Sequence, residues 1–157
     1  MTAEPYGIAV FCDDIRQEIN GKLTLVGCYG PELRILGTYP TVLPILAAQV
    51  NIRVPGMSKI ESLRIVVTKE DADGLEEILS MEPDTTDGLA ASDEEKSLIE
   101  SGEKIMSVSV GCKWSPIQFT SDSKIKVRAF INGGEEVKLG SLYISAIETT
   151  EASERDS

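Results

Sequence analysis

At 157 residues, of which 41% are hydrophobic and 26% charged, the chain is long enough for one globular domain with its own core. Its formal net charge of −11 disfavours binding to nucleic acid, because phosphate contacts need clustered lysine and arginine. The sequence contains no histidine, which excludes Ser-His-Asp and Cys-His catalysis and nearly all catalytic zinc sites. We expect no catalytic residue, no metal site and no cofactor.

The three cysteines, Cys12, Cys28 and Cys112, are an odd number without CxxC spacing. We therefore predict reduced thiols, and a bridge between Cys12 and Cys28 on neighbouring strands is the less favoured alternative. The first residues carry no basic segment, and no apolar run approaches the ~20 residues of a membrane span. These features predict a cytoplasmic protein without membrane contact.

A cluster of charged residues follows the first predicted strand, Gly7–Cys12. It contains four candidate binding residues: Asp13, Asp14, Arg16 and Glu18. Carboxylates of this kind hold Mg²⁺ or Mn²⁺, and they act as acid and base when burial raises one pKa. No second anchor is recognisable elsewhere in the sequence, so we favour a structural role and keep a binding role as the alternative.

The chain must reverse after this cluster, because Leu23–Tyr29 is a second apolar strand. A two-residue hairpin at Asn20-Gly21 would place Arg16 and Glu18 opposite leucines of that strand, which mixes charge into an apolar face. We therefore predict a short helical turn over Ile15–Ile19, capped by one of the preceding aspartates.

Alternation of apolar and polar residues predicts the other strands. It is clearest over Leu46–Val54, Met106–Trp114 and Lys124–Ile131. Further strands are predicted at Glu32–Leu36, Ser62–Lys69, Glu76–Met81 and Glu136–Ile147, with turns at Asp73-Gly74 and Asn132–Gly134. Such short strands predict a mainly β fold, an antiparallel β-sandwich of immunoglobulin or C2 type with eight or nine strands over residues 1–148.

Residues 70–104 carry the whole net charge: they contain 13 acidic and two basic residues, and the rest of the chain holds 13 of each. The capping box Ser92–Glu95 predicts a short helix that ends near Ser101-Gly102 in this acidic crossover. Residues 82–91 are predicted to form a flexible loop, and the acidic tail 149–157 is predicted to be disordered.

The predicted helix supplies a second set of candidate contacts, Asp93, Glu94 and Glu95. An acidic surface attracts basic partners and repels nucleic acid. The alternative is a solvated segment that aids solubility.

Three stretches of the first 46 residues form a specific pattern: Cys12–Glu18 (CDDIRQE), Gly21–Tyr29 (GKLTLVGCY) and Pro40–Leu46 (PTVLPIL). In this pattern the chain resembles a family of small, uncharacterised bacterial and phage domains. The resemblance covers about a third of the chain and implies a sandwich fold without an established activity.

The sequence favours a non-enzymatic protein-interaction module that binds a basic protein through its acidic surface. If phage-encoded, it would be an accessory or host-targeting, anti-defence protein in the host cytoplasm. Mimicry of nucleic acid by ordered carboxylates is a narrower form of this hypothesis. Two alternatives stay open: a metal-dependent hydrolase or small-ligand binder centred on Asp13, Asp14 and Glu18, and a structural protein of a virion or other assembly. The sequence makes no prediction of oligomeric state.

Overall fold

The computed structural model describes residues 4–55, 60–83, 93–103 and 105–147. Within these ranges the chain forms eleven strands, one α-helix (α1, Asp93–Glu100) and one 3₁₀ turn (Ile19–Gly21). The strands are β1 (Tyr6–Gln17), β2 (Leu23–Cys28), β3 (Glu32–Leu36), β4 (Thr41–Leu43), β5 (Leu46–Val54), β6 (Leu63–Asp71), β7 (Gly74–Met81), β8 (Met106–Trp114), β9 (Ile117–Phe119), β10 (Ser123–Ile131) and β11 (Glu135–Ile147).

Two sheets pack face to face and confirm the predicted β-sandwich. Sheet A has the strand order β2-β1-β5-β8, and sheet B has the order β3-β11-β10-β6-β7. A short ladder of β4 and β9 was not predicted and brings the described strands to eleven. The immunoglobulin or C2 type of the sandwich stays a prediction.

One strand pair corrects the expectation of an entirely antiparallel fold, because β3 runs parallel to β11. The reason lies in the short link from β2 to β3. Tyr29 N still donates to Phe11 O of sheet A at 2.8 Å, whereas Pro31 O already accepts from Tyr143 N of sheet B at 2.9 Å. The chain therefore changes sheets across Gly30 and enters beside β11 in the direction of that strand.

The core lies between the two sheets and is built from the alternating residues that the sequence predicted. Val50 and Ile52 of β5 and Ile125 and Val127 of β10 are fully buried. Burying each such side chain contributes roughly 1.5–3 kcal/mol to folding, so these faces fix the strand registers.

The predicted helical turn over Ile15–Ile19 is wrong, because β1 continues as a strand to Gln17. The reversal is a three-residue loop closed by a hydrogen bond from Glu18 N to Lys22 O of 2.7 Å. Two of its residues, Asn20 and Gly21, have φ angles of 69° and 74°.

The longer loop shifts the pairing of β1 and β2 by one residue from the two-residue hairpin that the sequence argued against. Ile15 lies opposite Leu25, and Arg16 lies opposite Thr24. Arg16 therefore faces a polar residue and Ile15 an apolar one without a helical turn, whereas Asp14 lies opposite Val26 and Gln17 opposite Leu23.

The helix in the acidic crossover is confirmed as α1, and its chain leaves the helix at Gly102, which has a φ angle of 84°. Ser92, residues 84–91 and the tail 149–157 lie outside the described residues, so the capping box, most of the predicted loop and the predicted tail are not described. Among the described residues, no helix is both long and apolar enough to span a bilayer.

The two ends of the crossover lie at β7 and β8, which are edge strands of sheets B and A. It leaves β7 at Met81, whose Sδ lies 3.9 Å from Sγ of Cys112 in β8. It returns at Met106, six residues earlier in β8, which is about 20 Å along a strand. The crossover therefore begins and ends beside the neighbouring edges of the two sheets, and Ile99 of α1, 7% exposed, is buried.

Candidate functional site

The candidate carboxylates Asp13 and Asp14 do not share a site. They are successive residues of β1, and successive side chains of a strand point to opposite faces. Asp13 accepts a hydrogen bond from the Tyr29 hydroxyl, whereas Asp14 forms an ion pair with Lys113 of β8. The strand geometry thus separates the two groups that the sequence places side by side.

Asp13 occupies a place that a glycine leaves open. Gly27 lies across from it on β2 with a φ angle of 65°, and a Cβ there would overlap Asp13 Oδ2 and lie 2.9 Å from Cγ. The Asp13 carboxylate accepts from the Tyr29 hydroxyl above this gap. Burial first, and then the Asp13 carboxylate, raise the pKa of Tyr29 to about 12.

We expect the Tyr29 hydroxyl to titrate near pH 12, which the difference in absorbance at 295 nm between the wild type and Tyr29→Phe isolates. Because the folded pKa is raised, this group's contribution to stability is complete below its ordinary pKa near 10. It is lost as the pH rises towards about 12.

The variant Asp13→Asn provides the control for this titration. It should move the Tyr29 midpoint down but leave it above 10, because burial, the larger cause of the raised pKa, remains. A Tyr29 midpoint near 10 in the wild type would contradict the contact between Tyr29 and Asp13.

Asp14 links the hairpin of β1 and β2 to strand β8 of sheet A. Its Oδ1 lies 2.7 Å from Lys113 Nζ and also accepts a hydrogen bond from the Ile15 backbone N–H at 2.9 Å. The bond from Lys113, followed by that from Ile15, lowers the pKa of Asp14. Asp14 is therefore an anion at neutral pH, and the structure uses its charge in an ion pair.

Ile15 supports the same arrangement on the face of sheet A that points away from the core. A Cβ at Gly111 would lie 3.4 Å from Ile15 Cδ1 and 3.4 Å from Gln49 Oε1. Gln49 is only 4% exposed, and its Nε2 donates to Ser109 Oγ at 2.6 Å. The hairpin thus bends over this outer face, where small residues leave room for it.

The other two residues of the cluster lie at the far end of the hairpin. Arg16 and Glu18 are both exposed there, and the backbone N–H of Glu18 closes the loop. Within the described ranges, no group of three or more cysteine, aspartate or glutamate side chains is placed to hold a metal ion. The contacts of Asp13 and Asp14 hold strands together.

The second set of candidate residues lies in the first turn of α1, within the connection from β7 to β8. Asp93 and Glu94 are exposed in the first turn of α1, where acidic side chains also stabilise the helix N-terminus, and Glu95 is half-buried. Other exposed acidic residues of β7 and the crossover extend this set. We call the acidic side the group Glu77, Glu82, Asp93 and Glu94.

Several basic residues form ion pairs with carboxylates that lie near them. On the outer face of sheet B, Lys126 pairs with Glu70 at 2.9 Å and Arg128 pairs with Glu136 at 3.2 Å. Arg34 and Lys113 pair with Glu32 and Asp14. Lys69 of β6 approaches Glu76 of β7 at 3.6 Å. The acidic-side residues Glu77, Glu82, Asp93 and Glu94 are exposed to solvent.

A cleft of about 240 Å³ adjoins the start of the crossover and was not predicted from the sequence. The guanidinium of Arg64 lies 5.1 Å from the ring centroid of Phe130 in this cleft. The lining residues are Ser62, Leu63, Arg64, Glu82, Phe130 and Gly133. The signal in the sequence was Phe130, an aromatic residue on the face of β10 that otherwise carries lysine and arginine.

A scan against models of known protein families and a search of curated proteins give no match for this chain. The resemblance to small bacterial and phage domains therefore stays a prediction. Function must be inferred from the side chains and their surroundings, because one fold serves many functions.

Proposed function

We propose that this domain is a non-enzymatic protein-interaction module that binds a basic partner through the acidic side. The observation that carries the proposal is the separation of charge. Residues 70–104 carry the whole net charge, and exposed carboxylates lie in β7, at Glu82 and in the first turn of α1. Elsewhere, Arg34, Lys113, Lys126 and Arg128 pair with carboxylates near them.

The electrostatic field of such a surface favours binding of a positively charged partner. Like charges held together create a field that attracts an oppositely charged partner and speeds its association. The cleft beside Glu82 gives the same side a concave place with an aromatic ring, Phe130, where a partner's side chain could be anchored. On this proposal the protein acts in the cytoplasm, which for a phage-encoded protein is that of the host.

Neutralising three acidic residues should weaken partner binding. In the variant Glu77→Gln/Asp93→Asn/Glu94→Gln, we expect about tenfold weaker binding, because each exposed charge pair contributes about 0.2–1 kcal/mol. The measurement is affinity capture from a bacterial lysate, followed by titration of the purified captured protein at two salt concentrations. Circular dichroism of the variant checks that α1 and the sheets persist.

The matched control removes the same charge from other parts of the surface. In Glu4→Gln/Glu61→Gln/Glu135→Gln, three exposed carboxylates are neutralised. This control should bind the partner as the wild type does. Equal binding by all three proteins would overturn the proposal, as would affinity that does not fall with added salt.

A further inference from the structure

Cys12 and Cys28 stand directly opposite each other across β1 and β2. Directly opposite residues of antiparallel strands have Cα atoms about 4.5–5.5 Å apart and side chains on the same face. Disulfides span Cα separations of roughly 4.4–6.8 Å, so the backbone places this pair within bonding range without rearrangement.

The two thiols differ in access to solvent. Both are free, but Cys12 of β1 is fully buried whereas Cys28, the last residue of β2, is exposed. Burial and then the neighbouring Cys28 raise the pKa of Cys12, which places the two sulfur atoms within electrostatic reach of each other. Solvent oxidants therefore meet Cys28 first, with Cys12 behind it.

We propose that Cys12 and Cys28 form a redox-modification site that a peroxide converts into an intramolecular disulfide. Hydrogen peroxide oxidises the Cys28 thiol to a sulfenic acid and releases one water. The sulfur of Cys12 then bonds to the sulfur of Cys28. The sulfenic hydroxyl leaves with the Cys12 proton as a second water. Two thiols and one peroxide give one disulfide and two waters, and the two electrons that the sulfurs lose reduce the peroxide.

The bond would lock the hairpin at its base. The residues between the two cysteines include Asp13, Asp14 and Gly27, so the ring encloses the contacts that fasten the hairpin over sheet A. A cross-link of this kind restricts the unfolded chain. We therefore expect the oxidised protein to melt at a higher temperature than the reduced one.

The full-length reduced protein is treated with hydrogen peroxide, denatured, alkylated with N-ethylmaleimide and analysed by mass spectrometry. We expect loss of two hydrogen atoms, alkylation of Cys112 alone, and a linked peptide pair that contains Cys12 and Cys28. Dithiothreitol should restore three alkylatable thiols. The extent of reaction should not depend on protein concentration.

Two variants locate the reaction. Cys28→Ser should prevent the loss of two hydrogens, and Cys112→Ala, which removes the buried thiol of β8, should leave it unchanged. Peptide mapping of the wild type keeps the test valid if a variant fails to fold. A dimer linked through Cys28, a bridge to Cys112, or a Cys28 sulfinic acid beside an alkylatable Cys12 would each overturn the proposal.

Discussion

Phe119→Ala should lower the free energy of unfolding by about 3–5 kcal/mol. Phe119 is 0% exposed and belongs to the core, although its strand β9 is only three residues long. Its ring also lies 5.8 Å from Nζ of Lys69, so the variant removes a cation–π contact together with the buried surface. Urea denaturation followed by the fluorescence of Trp114, the single tryptophan, measures the loss.

Two comparisons show whether that loss comes from the buried ring. Phe119→Leu keeps most of the volume and should cost less than about 1.5 kcal/mol. Val42→Ala alters the same short ladder at a side chain that is 52% exposed, and it should change stability by no more than about 0.5 kcal/mol. If Phe119→Ala costs less than about 1 kcal/mol, the ladder of β4 and β9 does not close the core.

The next largest effect is expected for Gly27→Ala, at about 1.5–3.5 kcal/mol. Its backbone has a φ angle of 65°, which costs an L-residue about 1–2 kcal/mol. The new methyl group would also overlap the Asp13 carboxylate and force it away from the Tyr29 hydroxyl. Loss of that hydrogen bond adds about 0.5–1.5 kcal/mol.

A second glycine separates these two causes. Gly21 has a φ angle of 74° and nothing within 4 Å of an added Cβ, so Gly21→Ala should show the backbone cost alone. In an Asp13→Ala background, the cost of Gly27→Ala should fall to that of Gly21→Ala. If the cost of Gly27→Ala is the same with and without the Asp13 carboxylate, the carboxylate does not occupy the gap at Gly27.

The alternation of apolar and polar residues was sufficient to predict most of the sandwich. Leu46–Val54, Met106–Trp114 and Glu32–Leu36 have the observed bounds, because apolar and polar residues alternate along each of them. Strands β4 and β9 were missed because three residues are too few to show an alternation of apolar and polar side chains. They pair only where the fold brings distant segments together, and β3 joins β11 for the same reason.

The charged end of β1 was missed because its pattern is not that of a half-buried strand. Past Cys12 the strand pairs with β2, and its polar residues gain partners that are far away in sequence, such as Lys113 for Asp14. The three-residue loop at Ile19–Gly21 also sets the pairing of β1 with β2, which differs by one residue from the pairing that a two-residue hairpin would give. The four candidate residues lie in and just after β1, and the placement of Asp13 and Asp14 on opposite faces depends on recognising the strand.

The acidic side was predictable in composition but not in position. Counting charges located the imbalance in residues 70–104, and the capping box predicted α1. The contact of Met81 with Cys112, which brings the end of β7 beside β8, joins residues that are 31 positions apart and leaves no pattern in the sequence. The cleft at Phe130 is likewise formed from several separate strands and turns.

Amide hydrogen exchange of the full-length domain, alone and bound to its captured partner, tests most directly which surface binds. We expect slower exchange on binding in Gly74–Met81 and Asp93–Glu100, with the hairpin between Asp13 and Gly27 unchanged. Protection confined to that hairpin, with β7 and α1 exchanging as in the free domain, would contradict the account and return the binding role to the charged cluster.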